Sequence, residues 1–344
     1  RATRGLFQAL LALALELDPG VLAQIALLAS RSQWTLGQLL RKLEMGRATQ
    51  ATRPSVRQAH DASVGLLGLD TDELARRLGQ SRPLAAKRGG KALDAQELEA
   101  LLKPGGPFSR ALPRYEYRPH QVEMLRAVVR ALNEERHLVV EGGTGIGKSL
   151  AYLLPAALLA VRHGARVVVS TNTINLQEQL IHKDIPALAQ ALEEAGELPA
   201  GGFRAVQLKG RANYICPRRW MQLARNENLS PAEARLLAKT LVWLQGTSSG
   251  DRAEINLAGR DALLWERVSA GEKGWCPGLK EGACFLRAAR EAAEGAHIVV
   301  VNHALLLTDL ARGGGLVPKY DYLIVDEAHH LEEAISDWQA VLKL

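Results

Sequence analysis

After Tyr115 the chain alternates short runs of β-branched and other apolar residues with longer stretches of helical spacing. Such runs are typical of strands buried on both faces of a parallel sheet. Their alternation with helices predicts a doubly wound α/β domain. The predicted strands are His137 to Glu141, Ala165 to Thr171, His297 to Asn302 and Tyr322 to Asp326, and the predicted helices include Lys148 to Arg162 and Asn175 to Ile181.

In the first 112 residues, apolar positions recur at helical spacing rather than in short continuous runs. Residues 5–30 predict a packed helix pair that is interrupted at Asp18-Pro19-Gly20, because proline and glycine break helices. The stretch from Arg47 to Pro113 is rich in Arg, Gly, Pro and Ser and is interpreted as a linker or small helical connector. Shorter helices are predicted at Leu36 to Leu43, Asp72 to Leu78 and Asp94 to Leu102.

The distance between the second and third predicted strands is informative. More than a hundred residues separate them, and a single crossover needs far fewer. We therefore predict an inserted domain that contains all three cysteines. The predicted division is a helical segment at 1–45, a connector at 46–112, a lobe at 113–209 and 291–335, the insert at 210–290, and the start of a following domain at 336–344.

Composition narrows the class of protein. The 344 residues are 47% hydrophobic, which is enough for a sizeable core, and the net charge of +6 suits a polyanionic partner without requiring one. An odd count of three cysteines gives no disulfide framework and favours a reducing, cytoplasmic location. The apolar run Leu6 to Leu15 is shorter than the roughly 18 residues of a membrane span and is followed at once by Glu16.

A complete phosphate-binding motif lies between the first predicted strand and the first helix of the lobe. Its glycines allow backbone N–H groups to point at phosphate, and the helix that follows adds its positive N-terminal end. Lys148 supplies a cation for the β- and γ-phosphates, and the Ser149 hydroxyl is a hard ligand for Mg²⁺. The predicted loop comprises Gly142, Gly143, Thr144, Gly145, Ile146, Gly147, Lys148 and Ser149.

The last predicted strand ends in Asp326-Glu327-Ala328-His329, here called the acid box. Paired with the phosphate loop, Asp326 is predicted to hold Mg²⁺ and Glu327 to orient and deprotonate an attacking water. Neighbouring residues at a strand end point in different directions, so the two carboxylates can serve these two roles. No role is assigned to His330.

Five motifs, in this order, resemble the DinG-type helicases, which are XPD-like members of helicase superfamily 2. The resemblance covers residues 115 to 335 and implies a RecA-like P-loop lobe that drives ATP-dependent movement on single-stranded DNA, 5′ to 3′, with duplex unwinding. The motifs are Tyr115 to Gln121, Glu141 to Ser149, Ser170 to Gln177, Val300 to Leu306 and Asp326 to His329.

The resemblance also implies roles for single residues. Arg118 and Gln121 match a motif at the adenine end of the nucleotide, and His329 matches a histidine that links the ATP state to a second motor lobe. The residues that match a DNA-backbone grip are Thr171, Asn172, Thr173 and Gln177. Without the family, helix capping by Thr171 and Thr173 remains an alternative. Two interpretations of Asn302 and His303 stay open: they line the site, or their role is structural.

The insert resembles the family's iron–sulfur domain at Cys216, Cys276 and Cys284. A [4Fe–4S] cluster takes four thiolates, and the position near Gly271 holds no fourth cysteine. Two readings stay open: a ligand other than cysteine, or a site that folds without metal.

Residues 203–225 carry six Lys or Arg and no acidic residue, with aromatic residues between them. Such a pattern predicts a groove for single-stranded DNA, and the alternative is a solvated basic helix with buried aromatics. The candidate contacts are Arg211, Tyr214, Arg218, Arg219 and Trp220.

Residues 2–11 are similar to the last helix of DnaQ-like exonuclease domains, so residues 1–45 are interpreted as the end of such a domain or as a plain amphipathic helix pair. A second RecA-like lobe is expected beyond residue 344. We therefore predict that the full protein is a DNA helicase and that this fragment hydrolyses ATP poorly. The alternative is a module that binds nucleic acid under the control of ATP without unwinding it.

Overall fold

The computed structural model describes residues 2–50, 69–79, 81–85, 87, 90–111, 115–143, 145–271 and 283–342. They divide into two units. The helical unit comprises Arg1–Gly79 with Gly210–Ala288, and the lobe comprises Gln80–Lys209 with Ala289–Leu344.

The α-helices of these ranges are numbered in chain order. They are α1 (Ala2–Glu16), α2 (Pro19–Ser30), α3 (Thr35–Gln50), α4 (Thr71–Leu78), α5 (Ala95–Leu102), α6 (Pro107–Ala111), α7 (Pro119–Asn133), α8 (Lys148–His163), α9 (Ile174–Gln179), α10 (Ile185–Glu194), α11 (Pro217–Ala224), α12 (Pro231–Leu244), α13 (Arg260–Leu264), α14 (Phe285–Glu294), α15 (His303–Ala311) and α16 (Leu331–Leu342). A π-helical turn, Leu180–Asp184, joins α9 to α10. The strands are β1 (Val167–Thr171), β2 (Ala205–Gln207), β3 (Ile298–Asn302) and β4 (Tyr322–Val325).

The strands of the lobe form one parallel sheet in the order β2-β3-β1-β4. In this register Ser170 of β1 lies opposite Val301 of β3 and Val325 of β4, so the carboxyl ends of three strands meet at one edge. The prediction of an α/β lobe with a parallel sheet is confirmed. Ligands of open α/β sheets bind at this edge, which is where the candidate site lies.

Apolar side chains cover both faces of the sheet. Val167 and Val169 face one core with α8, which is buried along most of its length. Val168 and Val299 face a second core with residues of α15. Burial on two faces explains why Val167–Val169 of β1 and Ile298–Val301 of β3 are apolar without interruption, since a strand with one wet face would alternate.

The strand predicted from His137 to Glu141 is wrong. Residues 136–143 have no regular backbone structure, and Leu138, Val139 and Val140 are exposed, Val139 to 97%. A strand forms through hydrogen bonds with a neighbour, and β-branched residues do not supply that neighbour. Strand β2 was not predicted, because three half-buried residues are too few to give a pattern.

In the helical unit, α2 packs against α3. Gly37 permits this contact, since a Cβ there would lie 2.5 Å from the Cβ of Ala29. The predicted break is confirmed: Asp18 caps α2 by accepting from the N–H groups of Gly20 (2.8 Å) and Val21 (3.2 Å). The two helices of the predicted pair differ in burial: Leu6 of α1 is 63% exposed, whereas α2 buries its apolar face.

The helical unit joins residues that are distant in sequence. Arg31, which follows α2, accepts a backbone hydrogen bond from Leu229 (2.9 Å) and donates from Nη1 to the carbonyl of Ala224 (3.0 Å). Trp220 and Trp265 are fully buried in this unit. The assignment of residues 1–45 to the end of an upstream domain stays a prediction. Within the described ranges, no helix is long and apolar enough to span a membrane.

Candidate nucleotide site and nucleic-acid segment

The phosphate loop runs directly into α8, so the N-terminal end of that helix faces the loop. Gly145 and Gly147 have φ angles of +81° and +84°, which favour glycine. A Cβ on Gly147 would lie 2.0 Å from Nε2 of Gln121, so a larger residue would displace that side chain. Thr144 lies outside the described residues. The loop thus has the backbone freedom that a phosphate cradle needs.

Arg118 and Gln121 contact the loop itself. Nη1 of Arg118 donates to the carbonyl of Gly145, and Nε2 of Gln121 donates to the carbonyl of Gly147 at 2.9 Å. Gln121 is buried, whereas Arg118 is half-exposed and pairs with Glu116 at 3.0 Å. In this structure both residues brace the phosphate loop, and the adenine contact inferred from the resemblance stays a prediction.

The acid box is bonded to the neighbouring strand. The N–H of Asp326 donates to the carbonyl of Ser170 at 2.8 Å, and Oδ1 of Asp326 accepts from the N–H of Glu327 at 3.0 Å. Glu327 has a φ of +53° in the left-handed region, which costs a residue with a Cβ about 1–2 kcal/mol. Strained backbone of this kind collects at functional sites, where surrounding contacts hold it.

Lys148 links the phosphate loop to the acid box. Its Nζ lies 3.0 Å from Oε1 of Glu327, and the two side chains are 26% and 28% exposed. The hydrogen bond from Lys148 is the main reason why the pKa of Glu327 is lowered, against the effect of burial. Glu327 is therefore an ionised carboxylate at neutral pH. The structure brings together the two residues that were predicted to act on the terminal phosphate and on the water.

Tyr152 is a site residue that motif reasoning missed. Its hydroxyl donates to Oδ2 of Asp326 at 3.0 Å, and the side chain is buried. Burial first, then the charge of Asp326, raises the pKa of Tyr152 well above its ordinary value, so the hydroxyl stays protonated; a hydrogen bond with Ser149 acts in the opposite direction. Tyr152 follows Ser149 by three residues, and helical spacing places both on one face of α8.

Because Tyr152 contacts both predicted Mg²⁺ ligands, we expect Tyr152→Phe to weaken Mg²⁺ binding about tenfold. The measurement is the Mg²⁺ concentration that gives half-maximal ATP hydrolysis by the full-length protein. Tyr115→Phe is the matched control, because it removes a hydroxyl that donates to the carbonyl of Leu102 at 2.7 Å, away from the acid box. An equal Mg²⁺ requirement in both variants would show that Tyr152 only stabilises the fold.

The predicted DNA-grip residues separate into surface and core. Thr173 is exposed and caps α9, accepting from the N–H of Leu176 at 3.3 Å, and Asn172 is half-exposed. Thr171 is buried and donates to the carbonyl of Thr173 at 3.2 Å. Gln177 is fully buried, and its Nε2 donates to the carbonyl of Val300 at 3.4 Å. Asn172 and Thr173 are thus placed to meet a ligand, whereas Gln177 fastens α9 to the sheet.

The basic segment of the insert needs a correction for its aromatic residues. Tyr214 and Trp220 are buried, and Nε1 of Trp220 donates to Oγ1 of Thr240 at 2.7 Å. Both rings belong to the core of the helical unit, so neither can stack on a base in this conformation. Arg218 is exposed, and Arg211 and Arg219 are half-exposed. Cations for phosphate contact therefore remain, without these two stacking faces.

The structure describes two of the three cysteines. Cys216 precedes α11 and Cys284 precedes α14, and both are half-buried in the helical unit. Cys276 lies outside the described residues. Within the described part of the chain, no group of three or more His, Cys, Asp or Glu side chains is arranged to hold a metal ion. The iron–sulfur cluster stays a prediction.

His329 lies beside the acid-box carboxylate. Its Nε2 is 3.5 Å from Oε2 of Glu327, its side chain is 65% exposed, and its ring lies 4.1 Å from that of His330. This exposed imidazole, next to the predicted base Glu327, is accessible to another part of the protein. The inferred link from His329 to a second lobe stays a prediction.

Together, the glycine loop before α8, the lysine and the two carboxylates at the end of β4 have the arrangement of a nucleotide site of the P-loop class. The family model of the DEAD/DEAH box helicase matches residues 118–196. These residues therefore match a DEAD/DEAH box helicase domain, and the resemblance to DinG-type helicases seen in the motifs is confirmed.

Curated relatives extend this match. The chain is 34% identical over 231 residues to the "3'-5' exonuclease DinG" of Bacillus subtilis, which covers 67% of the chain and 24% of the relative. It is 35% identical over 251 residues to the "ATP-dependent DNA helicase YoaA" of Haemophilus influenzae, with 70% and 37% covered. It is 38% identical over 235 residues to the "ATP-dependent helicase DinG" of Mycobacterium tuberculosis, with 63% and 34% covered. The chain thus spans between a quarter and somewhat over a third of these relatives.

Proposed function

We propose that the full-length protein is an ATP-dependent DNA helicase that moves along single-stranded DNA, 5′ to 3′, and separates duplex strands. One observation carries the proposal: the N–H of Asp326 is bonded to Ser170, so the acid box and the segment that begins at Thr171 leave adjacent strands. Nucleotide chemistry and the proposed DNA contact therefore share one sheet edge. Two relatives are named "ATP-dependent DNA helicase YoaA" and "ATP-dependent helicase DinG", and these names support this function.

Five side chains share the proposed chemistry. Lys148 holds the terminal phosphates, and Glu327 accepts a proton from the attacking water. The Ser149 hydroxyl and the Asp326 carboxylate are hard oxygen donors that would hold Mg²⁺, and Tyr152 orients that carboxylate. The ion, when bound with ATP, supplies positive charge to the phosphoryl oxygens. The chain itself contributes position and electrostatics, which is most of what phosphoryl transfer requires.

The described cysteines support no step of this reaction. A [4Fe–4S] cluster takes four thiolates, and the sequence has three cysteines. The proposed mechanism therefore uses no iron–sulfur cluster. We also keep as proposals that the protein is cytoplasmic and that residues 1–45 end an exonuclease-type domain; the name of the Bacillus subtilis relative is compatible with the second.

Arg218 is an exposed cation of the basic segment, and we expect it to contact DNA phosphate. Arg218→Ala should lower the slope of log affinity against log salt by about 0.7 for single-stranded DNA, because one fewer counterion is released. The measurement is a fluorescence titration of labelled oligonucleotide at several salt concentrations. Arg130→Ala, which removes an exposed charge from α7, is the control. Equal slopes for the two variants would assign Arg218 to a solvated surface.

The alternative is a module that binds nucleic acid under the control of ATP without unwinding it. The two functions are distinguished by measuring ATP hydrolysis with and without single-stranded DNA, together with unwinding of a duplex that carries a 5′ single-stranded tail. A helicase gives DNA-stimulated hydrolysis and strand separation that depends on ATP. Binding that changes with ATP, with neither stimulation nor separation, would establish the alternative.

A further inference from the structure

His303 occupies a position that the proposed reaction does not yet use. It begins α15 directly after β3 and is 1% exposed. The preceding residue, Asn302, has an evident structural task, since its Oδ1 caps α15 by accepting from the N–H of Leu305 at 3.0 Å. Capping therefore accounts for Asn302 and leaves the buried imidazole of His303 unexplained.

One ring nitrogen of His303 is bonded to the strand that leads into the DNA-grip segment. Nδ1 lies 2.8 Å from Oγ of Ser170, and both side chains are fully buried. Ser170 immediately precedes Thr171, and its backbone carbonyl also accepts from the N–H of Asp326. Any shift of the end of β1 therefore reaches His303 through a direct hydrogen bond.

The other ring nitrogen faces the acid box. Nε2 is buried and has no well-formed hydrogen bond within the described part of the chain, and the ring interacts with the backbone of Glu327 and Asp326. Burial is the main reason why the pKa of His303 is lowered, and the backbone groups of Glu327 and Asp326 act in the opposite direction. A neutral ring that accepts from Ser170 at Nδ1 presents Nε2–H as a donor toward those groups.

The backbone that faces Nε2 is strained. Glu327 has a φ of +53°, a conformation that persists only while the surrounding contacts hold it. A buried donor whose hydrogen bond is poorly formed costs free energy, so a movement that improves the bond from Nε2 to this peptide is favoured. Ser170, His303 and Glu327 thus form a chain of contacts between two functional segments.

We propose that His303 is a positioning residue that couples DNA binding at the Thr171–Gln177 segment to the placement of Glu327. The inference rests on the proposed function. DNA contact moves the end of β1, Ser170 carries the movement to the imidazole, and Nε2 sets the peptide that orients the Glu327 carboxylate. Coupling of this kind changes the response to DNA more than it changes hydrolysis without DNA.

The test uses the full-length protein with three variants. His303→Leu removes both links, Ser170→Ala removes the hydroxyl and leaves the ring in place, and His303→Asn keeps an amide near the position of Nδ1 but cannot reach the acid box. Thr308→Ala is the control, because it removes a half-exposed hydroxyl of α15 that donates to the carbonyl of Ala304. For each protein, ATP hydrolysis is measured with and without single-stranded oligonucleotide, and thermal unfolding is recorded.

We expect the ratio of DNA-stimulated to basal hydrolysis to fall about fivefold or more in all three variants, with basal hydrolysis within about twofold of the wild type. A purely structural role would lower both rates together and leave the ratio unchanged. A wild-type ratio in Ser170→Ala and His303→Asn would overturn the proposal even if His303→Leu fails to fold. Absence of stimulation in the wild type would overturn the proposed function, and this inference with it.

Discussion

Replacing Lys148 by alanine is expected to lower ATP hydrolysis by the full-length protein about 100- to 1,000-fold. Lys148 contributes the cation at the phosphate loop, and its Nζ lies 3.0 Å from Glu327. The change therefore removes a phosphate contact and leaves the carboxylate without its cation. Affinity for ATP should fall as well, because the lysine contacts the nucleotide before the transition state. The measurement is steady-state hydrolysis together with titration of a fluorescent ATP analogue.

The same variant has a pH signature. Lys148 lowers the pKa of Glu327 below 4.5, so the ion pair stabilises the fold above that pH, and the stabilisation disappears as the pH falls through the lowered value. The difference in melting temperature between wild type and Lys148→Ala should therefore be present at pH 7 and shrink below about pH 4.5. Lys103→Ala, an exposed change after α5, is the control for both measurements. Unchanged hydrolysis in Lys148→Ala would show that the phosphate site lies elsewhere.

Replacing Glu327 by glutamine should separate binding from chemistry. The amide keeps the volume of the side chain but cannot accept the proton of the attacking water. We expect hydrolysis to fall about 100- to 10,000-fold while ATP binding is retained, which is the reverse of the loss of binding in Lys148→Ala. The measurement is single-turnover hydrolysis of pre-bound ATP, which reports the chemical step directly.

The control for the second prediction is Glu332→Gln, which removes an exposed carboxylate at the start of α16. It should leave the single-turnover rate unchanged. If hydrolysis by Glu327→Gln falls less than tenfold, another group accepts the proton, and the assignment of Glu327 as the base is wrong. A loss of ATP binding equal to that of Lys148→Ala would show instead that the Lys148–Glu327 pair shapes the loop.

The sequence predicted those parts of the site whose chemistry depends on local order. The phosphate loop continues directly into α8, and β4 continues directly into the acid box, so the residues of each motif could be named in advance. The contact between Lys148 and Glu327 was not predicted, but it joins two residues whose roles were assigned from the sequence. Three of the four predicted strands are present in the structure, because each pairs with one or two neighbouring strands of the sheet.

What could not be predicted depends on tertiary surroundings. Residues 137–141 have the composition of a strand, yet Val139 is almost completely exposed. Trp220 has the flanking charges of a stacking residue, yet it is buried with its N–H bonded to Thr240. Tyr152 belongs to no motif, and its contact with Asp326 joins residues that are far apart in the chain. Burial and contacts between distant residues decide such cases, and neither can be deduced from the spacing of residues along the chain.

The order of the strands has a consequence for synthesis of the protein. Among the described strands, β1 and β2 precede the insert, but β3 lies between them in the sheet. They therefore cannot pair until β3 leaves the ribosome, after the 90 residues that separate Gln207 from Ile298. At about 5–20 residues per second this delay is about 5–20 s. During that time the valines of β1 have no sheet to join, so the nascent lobe depends on α7 and α8, or on a chaperone, to shield them.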